Sequence, residues 1–181
     1  GTARNLLARE RGGLLSNSKL RDTINRLVSG RTFDDFAVDL AVTASDIEGR
    51  RRVNFTSRRA AARLRPGELE RFLPPPEGSR PGVETIVISD LDDVGQAVRA
   101  SCAVPGLFRP VLVRGMRLLD GGVTCQVPVD VVRALGAKVA VGVSLGLSYL
   151  PDHVRTAAAA VAGMVGMLGV HQLRKSLDLA D

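Results

Sequence analysis

Short apolar runs alternate with amphipathic helical segments along much of this chain, and this alternation limits the folds open to it. Residues 85–88 and 138–144 are apolar, rich in β-branched side chains and too short for ordinary helices, so we predict buried strands there. Residues 94–101 and 127–135 carry apolar side chains at helical spacing, and Gly136 is expected to end the second helix. Strands that alternate with helices predict an α/β sandwich with a largely buried sheet.

The segments before residue 120 predict one further helix and two hairpins. Residues 19–28 place apolar side chains on one face of an amphipathic helix. The apolar run 36–44 predicts a buried strand, and residues 52–56 predict the second arm of a hairpin, with a Glu-Gly turn signal between them. Residues 111–119 have the pattern of another hairpin.

Length and composition predict one domain with one irregular segment. The chain has 181 residues, of which 45% are hydrophobic, so residues 1–181 can build one core but not two comfortable ones. Residues 58–82 are rich in arginine and then in proline, and we expect a surface excursion there because a proline run holds neither a helix nor a central strand. Its arginines and those at 50–52 either face anionic phospholipid or nucleic acid, or form a solvated basic face.

Composition also narrows the partners and the compartment. Aromatic residues make up 3% with no Trp, so we expect no nucleic-acid partner that binds by base stacking, despite a net charge of +6. Cys102 and Cys125 form no Cys-x-x-Cys or Cys/His cluster, so we predict two buried thiols and no zinc site. The first residues show no leader pattern, and the longest uncharged stretch, 156–173, falls short of the roughly 20 apolar residues of a membrane span. We therefore expect a cytoplasmic or peripheral membrane protein with no signal peptide and no transmembrane span.

The most informative polar residue is Asp120, which ends an apolar run and is followed by Gly121 and Gly122. The two glycines remove side-chain bulk and permit positive φ, so backbone or a ligand could approach the carboxylate closely. Aspartate before glycine also occurs where the side chain simply caps a tight turn. These three residues by themselves leave both interpretations open.

The surrounding sequence resembles a known family. The blocks Ala-Ser-Cys-Ala-Val-Pro-Gly-Leu-Phe-Arg-Pro at 100–110, Asp-Gly-Gly at 120–122 and Gln-Val-Pro at 126–128 follow one another as they do in patatin-like phospholipases. The resemblance covers most of residues 14–146 and includes the hairpin before these blocks. It implies a three-layer α/β/α sandwich of patatin-like type and a serine acyl hydrolase that acts on carboxylic esters of lipids. It implies no metal and no organic cofactor.

The resemblance also implies a role for each residue of the Asp-Gly-Gly motif. Asp120 is then the base of a Ser–Asp dyad without histidine, and Gly121 and Gly122 shape the turn beside it. In such a site a serine hydroxyl attacks the ester carbonyl, and the carboxylate accepts its proton and later returns it. The family's G-x-S-x-G nucleophile segment precedes everything that matches here. We therefore expect the N-terminal part of the domain to be missing and this chain to supply only the Asp half of the dyad.

A rival nucleophile is Ser144, because Gly142–Gly146 reads Gly-Val-Ser-Leu-Gly after a predicted strand, as a nucleophile elbow requires. His153 and His171 follow it and could complete a triad. The elbow should turn directly into a helix, however, and Pro151 and the residues before it intervene. We therefore rank Ser144 below the dyad.

Two other possibilities concern binding rather than catalysis. The chain could be a catalytically incomplete family member, or a fragment that acts as an interaction module or binds anionic surfaces. A long helix rich in Ala and Gly is also predicted after Pro151, ending near Leu177. This last predicted helix carries Gly163, Gly166 and Gly169 close to one face, which favours tight packing against another backbone. That packing could be internal, or it could serve a homo-oligomer or contact with a membrane surface.

Overall fold

The computed structural model describes residues 15–64 and 84–143, which form a mixed sheet with helices on both faces. The strands lie in the order β3-β2-β1-β5-β4. Their bounds are β1 Ala41–Asp46, β2 Arg51–Thr56, β3 Glu84–Ile88, β4 Val111–Val113 and β5 Met116–Asp120. The helices are α1 Ser18–Leu27, α2 Arg58–Ala61, α3 Val94–Ser101 and α4 Val129–Ala134, with short 3-10 turns at Phe33–Asp35 and Gly121–Val123. The predicted α/β sandwich is confirmed.

Two hairpins supply four of the five strands of the described sheet, at the places where the sequence predicts them. β1 and β2 pair antiparallel from Ala41 opposite Thr56 to Asp46 opposite Arg51, around a turn at residues 47–50. β5 pairs antiparallel with β1 on one side and with β4 on the other, and β3 lies parallel to β2. The end of β5 therefore lies against the middle of β1, well inside the sheet.

The strand predicted for residues 36–44 is wrong in its first half. Pairing with β2 begins only at Ala41, so the residues before it have no ladder to join. Asp39 instead forms ion pairs of 2.7 Å with Arg59 and Arg63. These contacts hold the segment beside the residues that follow β2, and an apolar pattern alone does not reveal them.

Helices α1 and α3 cover the first face of the sheet and are locked together at Asp93. The Asp93 carboxylate caps α3 by accepting the Gln96 N–H at 2.8 Å, and it also accepts from Asn25 Nδ2 at 2.8 Å and Arg21 Nε at 2.6 Å. Gly95 permits this close approach, because a Cβ there would collide with the Arg21 carbonyl oxygen. Beneath the helices lies the main core, which includes Phe33, Ala44, Val53, Phe55, Ile88, Val94, Ala97 and Leu118.

The second face carries α2 and α4, with a small apolar cluster around Leu64 and a row of buried polar side chains. Arg52 of β2 and Asp130 of α4 form an ion pair of 2.6 Å, and their side chains are only 10% and 1% exposed. Asn54, two residues along β2, is fully buried and accepts a hydrogen bond from Thr43 Oγ1 at 2.8 Å. Helices on both faces make the described part a three-layer arrangement, with one apolar and one partly polar interior.

The segment after β5 differs from prediction in two places. The helix predicted for residues 127–135 forms, but it is shorter (Val129–Ala134), and it is followed by Gly136 at φ 98°. The buried strand predicted for 138–144 is wrong over its described part, which has no regular structure. Within the described residues no strand pairs with it, and a single strand cannot satisfy its own backbone hydrogen bonds. Its valines are exposed by 67%, 80% and 74% at positions 139, 141 and 143.

The segment that carries Arg58, Arg59 and Arg63 packs onto the fold, while these three side chains stay about half exposed or more. Ser57 caps α2 by accepting the Ala60 N–H at 3.1 Å, and Ala60 and Leu64 are buried. Residues 58–64 of the predicted surface excursion therefore belong to the packed structure, and its proline run lies outside the described residues. Most of the arginines are paired with aspartates, in Arg51–Asp46, Arg52–Asp130, Arg58–Asp34, Arg59–Asp39 and Arg63–Asp39.

Some predictions fall outside the described residues, including those for Ser144, His153 and His171 and for the glycines of the last predicted helix. Cys102 and Cys125 form no disulfide with each other, and Cys125 is buried as predicted. Cys102 is exposed, so the prediction of two buried thiols is wrong for that residue. In residues 15–64 and 84–143, no helix has the length and apolar character that crossing a bilayer requires.

Candidate active site

Asp120 is the last residue of β5 and caps the 3-10 turn that follows it. Its Oδ1 accepts the Gly122 N–H at 2.8 Å, which closes the turn over the carboxylate. Its main-chain N–H donates to the Ala103 carbonyl at 3.0 Å, and its main-chain carbonyl accepts from Ser45 Oγ at 2.9 Å. These three bonds fix the direction in which the carboxylate leaves the strand.

The two glycines after Asp120 differ in how strictly space requires them, because only Gly121 faces main-chain atoms. A Cβ at Gly121 would come within 2.9 Å of the Thr43 carbonyl carbon and closer still to its oxygen, so β1 and the turn can touch only without a side chain there. A Cβ at Gly122 would lie 3.0 Å from Asp120 Oδ1 and would crowd the carboxylate. Neither glycine is among the residues with positive φ, so the expectation that they provide this conformation is wrong. The absence of a side chain is what matters.

The residues after α3 form one wall of this region. Ala103 is fully buried, and its carbonyl receives the Asp120 N–H. Cys102, which is an exposed residue overall, precedes it in the chain. The block at 100–110 and the Asp-Gly-Gly turn, which are separated along the chain, are therefore joined by a main-chain hydrogen bond.

The electrostatic setting of Asp120 favours proton acceptance. Burial raises the pKa of this carboxyl above its ordinary value of 3.8, and the hydrogen bond from the Gly122 N–H lowers the pKa only in part. The pKa of the Cys102 thiol is raised as well, first by burial and then by the charge of Asp120, which indicates that the two groups are neighbours. An aspartate with a raised pKa is a stronger base than an ordinary one, which suits a group that must take a proton from an alcohol.

Two hydroxyl groups that contact the main chain of the Asp-Gly-Gly turn were not predicted from the sequence. Ser45 of β1 is 1% exposed, and its Oγ lies 2.9 Å from the Asp120 carbonyl oxygen and 2.9 Å from Thr124 Oγ1. Thr124 Oγ1 also lies 3.3 Å from the Gly121 carbonyl oxygen. Ser45 is 75 residues from Asp120 in the chain, so no local motif links the two. The only sequence signal for Ser45 is that a small polar residue stands inside an otherwise apolar strand.

The described residues supply the carboxylate and its turn but not a complete dyad. The Ser45 hydroxyl contacts the main chain of Asp120, not its carboxylate. Ser144 lies just beyond the described residues. Within those residues, no group of three or more His, Cys, Asp or Glu side chains is arranged to hold a metal ion.

Comparison with known protein families identifies the family of this chain. The family model for patatin-like phospholipase covers residues 1–133 of this chain. That span includes both hairpins, helix α3 and the Asp-Gly-Gly turn, so the elements around Asp120 fall inside the matched region.

Proposed function

Because this chain belongs to the patatin-like phospholipase family, we propose that it is part of a lipid acyl hydrolase in which Asp120 is the base of a Ser–Asp dyad. The observation that carries the proposal is the position of Asp120. Its carboxylate ends a central strand, is held by one N–H of the following turn and has a pKa raised by burial. Asp46 also caps a turn and is buried, but the Arg51 side chain and the turn N–H groups outweigh burial and lower its pKa, whereas the pKa of Asp120 is raised.

The reaction would proceed by covalent catalysis. A serine hydroxyl attacks the ester carbonyl while Asp120 accepts its proton, and the alcohol leaves with that proton as the acyl-enzyme forms. Water then attacks the acyl-enzyme, Asp120 again acts as base, and the serine is restored as the fatty acid departs. Backbone N–H groups of a glycine-rich turn would stabilise the oxyanion, where one such donor is typically worth about 10²- to 10³-fold in rate.

The chain would contribute the Asp half of this dyad. Residues 1–133, which match the family, contain no G-x-S-x-G sequence, so the serine would come from a segment outside them. The substrate would be a carboxylic ester of a lipid or a smaller ester, taken from solution or from a membrane surface. No metal or organic cofactor takes part in the proposed steps.

The test is ester hydrolysis by the complete natural protein that contains this chain, with a short-chain p-nitrophenyl ester and a phospholipid as substrates. Asp120→Asn is expected to lower kcat by about 10²- to 10⁴-fold, because it removes the base and keeps the shape of the side chain. Asp92→Asn is the matched control, since it changes the charge equally at a side chain that is 72% exposed. Its activity should equal that of the wild type.

Three results would overturn the proposal. The first is full activity in Asp120→Asn. The second is loss of activity in Ser144→Ala with retention in Asp120→Asn, which would assign the nucleophile to the rival motif. The third is a complete coding sequence without a G-x-S-x-G segment before the matched region, which would favour a non-catalytic interaction module.

A further inference from the structure

Ser45 binds the main chain of Asp120 from the side of β1. In the sheet register Asp120 lies opposite Ala44, and Ser45 is the next residue along that strand. The Asp120 N–H is already bonded to Ala103, so the Ser45 hydroxyl holds the other polar group of the same residue, its carbonyl. The peptide that links Asp120 to Gly121 is therefore held by a side chain from a different strand.

The number of available protons determines how the two hydroxyls are arranged. Ser45 has one hydroxyl proton, and the carbonyl of Asp120 can only accept, so Ser45 donates to it. In the 2.9 Å hydrogen bond between Ser45 Oγ and Thr124 Oγ1, Ser45 must then be the acceptor and Thr124 the donor. Thr124 is 3.3 Å from the Gly121 carbonyl, a longer distance than its contact with Ser45. This arrangement joins the strand, the catalytic turn and the residue after the turn in one chain of hydrogen bonds.

The Asp120–Gly121 peptide controls where the carboxylate points. Gly121 packs so closely on the Thr43 carbonyl that even a Cβ would not fit between them, so the turn has little room to move towards β1. Rotation of the peptide in the other direction would carry the Asp120 carbonyl away from Ser45. It would also change the position of the Gly122 N–H relative to Asp120 Oδ1, which are now 2.8 Å apart. The Ser45 hydrogen bond opposes that rotation.

We propose that Ser45, supported by Thr124, is a positioning residue that keeps the Asp120 carboxylate oriented for proton transfer by fixing the peptide behind it. The catalytic meaning of this role rests on the proposed function, whereas the orientation of the carboxylate can be measured without any activity. A small misplacement of a catalytic group can cost up to about 100-fold in rate. Ser45 would therefore affect catalysis without touching the substrate.

The test compares Ser45→Ala with Ser57→Ala. Both serines are 1% exposed, both lose the same atom, and Ser57 caps α2 without contacting the catalytic turn. In the chain itself, NMR titration of the Asp120 carboxyl carbon and of the Gly122 amide reports the geometry of the turn. Ser45→Ala is expected to raise the titration midpoint of Asp120 and shift the Gly122 signal, because the hydrogen bond that lowers this pKa is weakened. Ser57→Ala should leave both signals unchanged.

A second pair of variants guards against loss of folding in Ser45→Ala. Thr124→Val removes the hydroxyl at nearly constant volume, and Thr124→Ser keeps it. Thr124→Val should shift the Asp120 and Gly122 signals in the same direction as Ser45→Ala. Thr124→Ser should leave both signals at their wild-type values. Unchanged Asp120 and Gly122 signals in a folded Ser45→Ala or Thr124→Val protein would overturn the proposal.

Activity gives an independent arm. In the complete natural protein, Ser45→Ala should lower kcat by about 10- to 100-fold with KM nearly unchanged, whereas Ser57→Ala should leave both constants as they are. Ester hydrolysis that responds to Asp120→Asn but not to a folded Ser45→Ala variant would refute the positioning role. NMR shifts without any ester hydrolysis in the wild type would refute the proposed function and leave the structural role of Ser45 supported.

Discussion

Replacement of Gly121 by alanine should disrupt the contact between the Asp-Gly-Gly turn and β1. The new Cβ would lie 2.9 Å from the Thr43 carbonyl carbon and closer to its oxygen, whereas ordinary contacts begin near 3.4 Å. The obstructing atoms are main chain, so no side-chain rotation relieves the clash, and the turn and the strand must separate by at least half an ångström. Overpacking of this kind costs about 1–3 kcal/mol.

Separation would also stretch hydrogen bonds that depend on the contact. The Ser45 bond to the Asp120 carbonyl and the bond from Cys125 N–H to the Gly121 carbonyl, at 2.8 Å, both cross or close this turn. Each such bond contributes about 1 kcal/mol. We therefore expect Gly121→Ala to lower the free energy of unfolding by about 3 kcal/mol.

Urea unfolding followed by far-UV circular dichroism measures this effect, since the chain has no Trp and one Tyr for fluorescence. Gly122→Ala is the matched control. Its Cβ would meet only the Asp120 carboxylate at 3.0 Å and the Gln126 side chain at 3.7 Å, and both can move. We expect it to cost less than about 1 kcal/mol. Equal stability of the two variants, within about 0.5 kcal/mol, would refute the steric account of Gly121.

Three further predictions concern buried or partly buried charge. Asp130→Asn alone, or Arg52→Met alone, should lower the free energy of unfolding by about 3–5 kcal/mol, because each leaves a buried charge unpaired. The double variant should recover most of this lost stability, as measured by urea unfolding. A double variant no more stable than either single one would contradict this. Asp120→Asn should raise the free energy of unfolding at pH 7. The pKa of Asp120 is raised in the folded state, so its protonated form stabilises the fold fully below the ordinary pKa of 3.8. This contribution is lost as the pH rises through the folded-state pKa, and the asparagine variant avoids that loss. The gain should disappear in acid, and a gain independent of pH would exclude this cause. Asp120→Asn should also lower the pKa of the Cys102 thiol, so that maleimide labels it at lower pH, while the buried Cys125 stays unlabelled in both proteins. An unchanged pH profile of labelling would show that the two groups do not interact.

Local sequence signals predicted much of the secondary structure. The helix over 94–101 forms with those bounds, and both hairpins form around their turn signals. These elements depend on contacts between residues close together in the chain, such as the Asp93 side chain that caps the helix three residues before Gln96. Periodicity and turn residues are therefore sufficient to locate them.

Predictions that depended on a distant partner were less successful. Residues 36–40 and 138–143 have the apolar character of strands, but the described structure gives neither segment a neighbouring strand. A strand exists only through hydrogen bonds to another strand, and the pattern of one segment contains no information about that neighbour. The arginine-rich stretch is similar, since its charges are compensated by aspartates from elsewhere in the chain.

The candidate site divides in the same way. Asp120 and its two glycines could be identified from the sequence, because the motif is contiguous and its neighbouring blocks occur in the order typical of one family. Only the tertiary structure determined what surrounds them: the Ser45 hydroxyl, the Ala103 carbonyl and the burial that raises the pKa of Asp120. The physical reason is that burial and long-range hydrogen bonds depend on the register of β1 against β5, which brings together residues 75 positions apart.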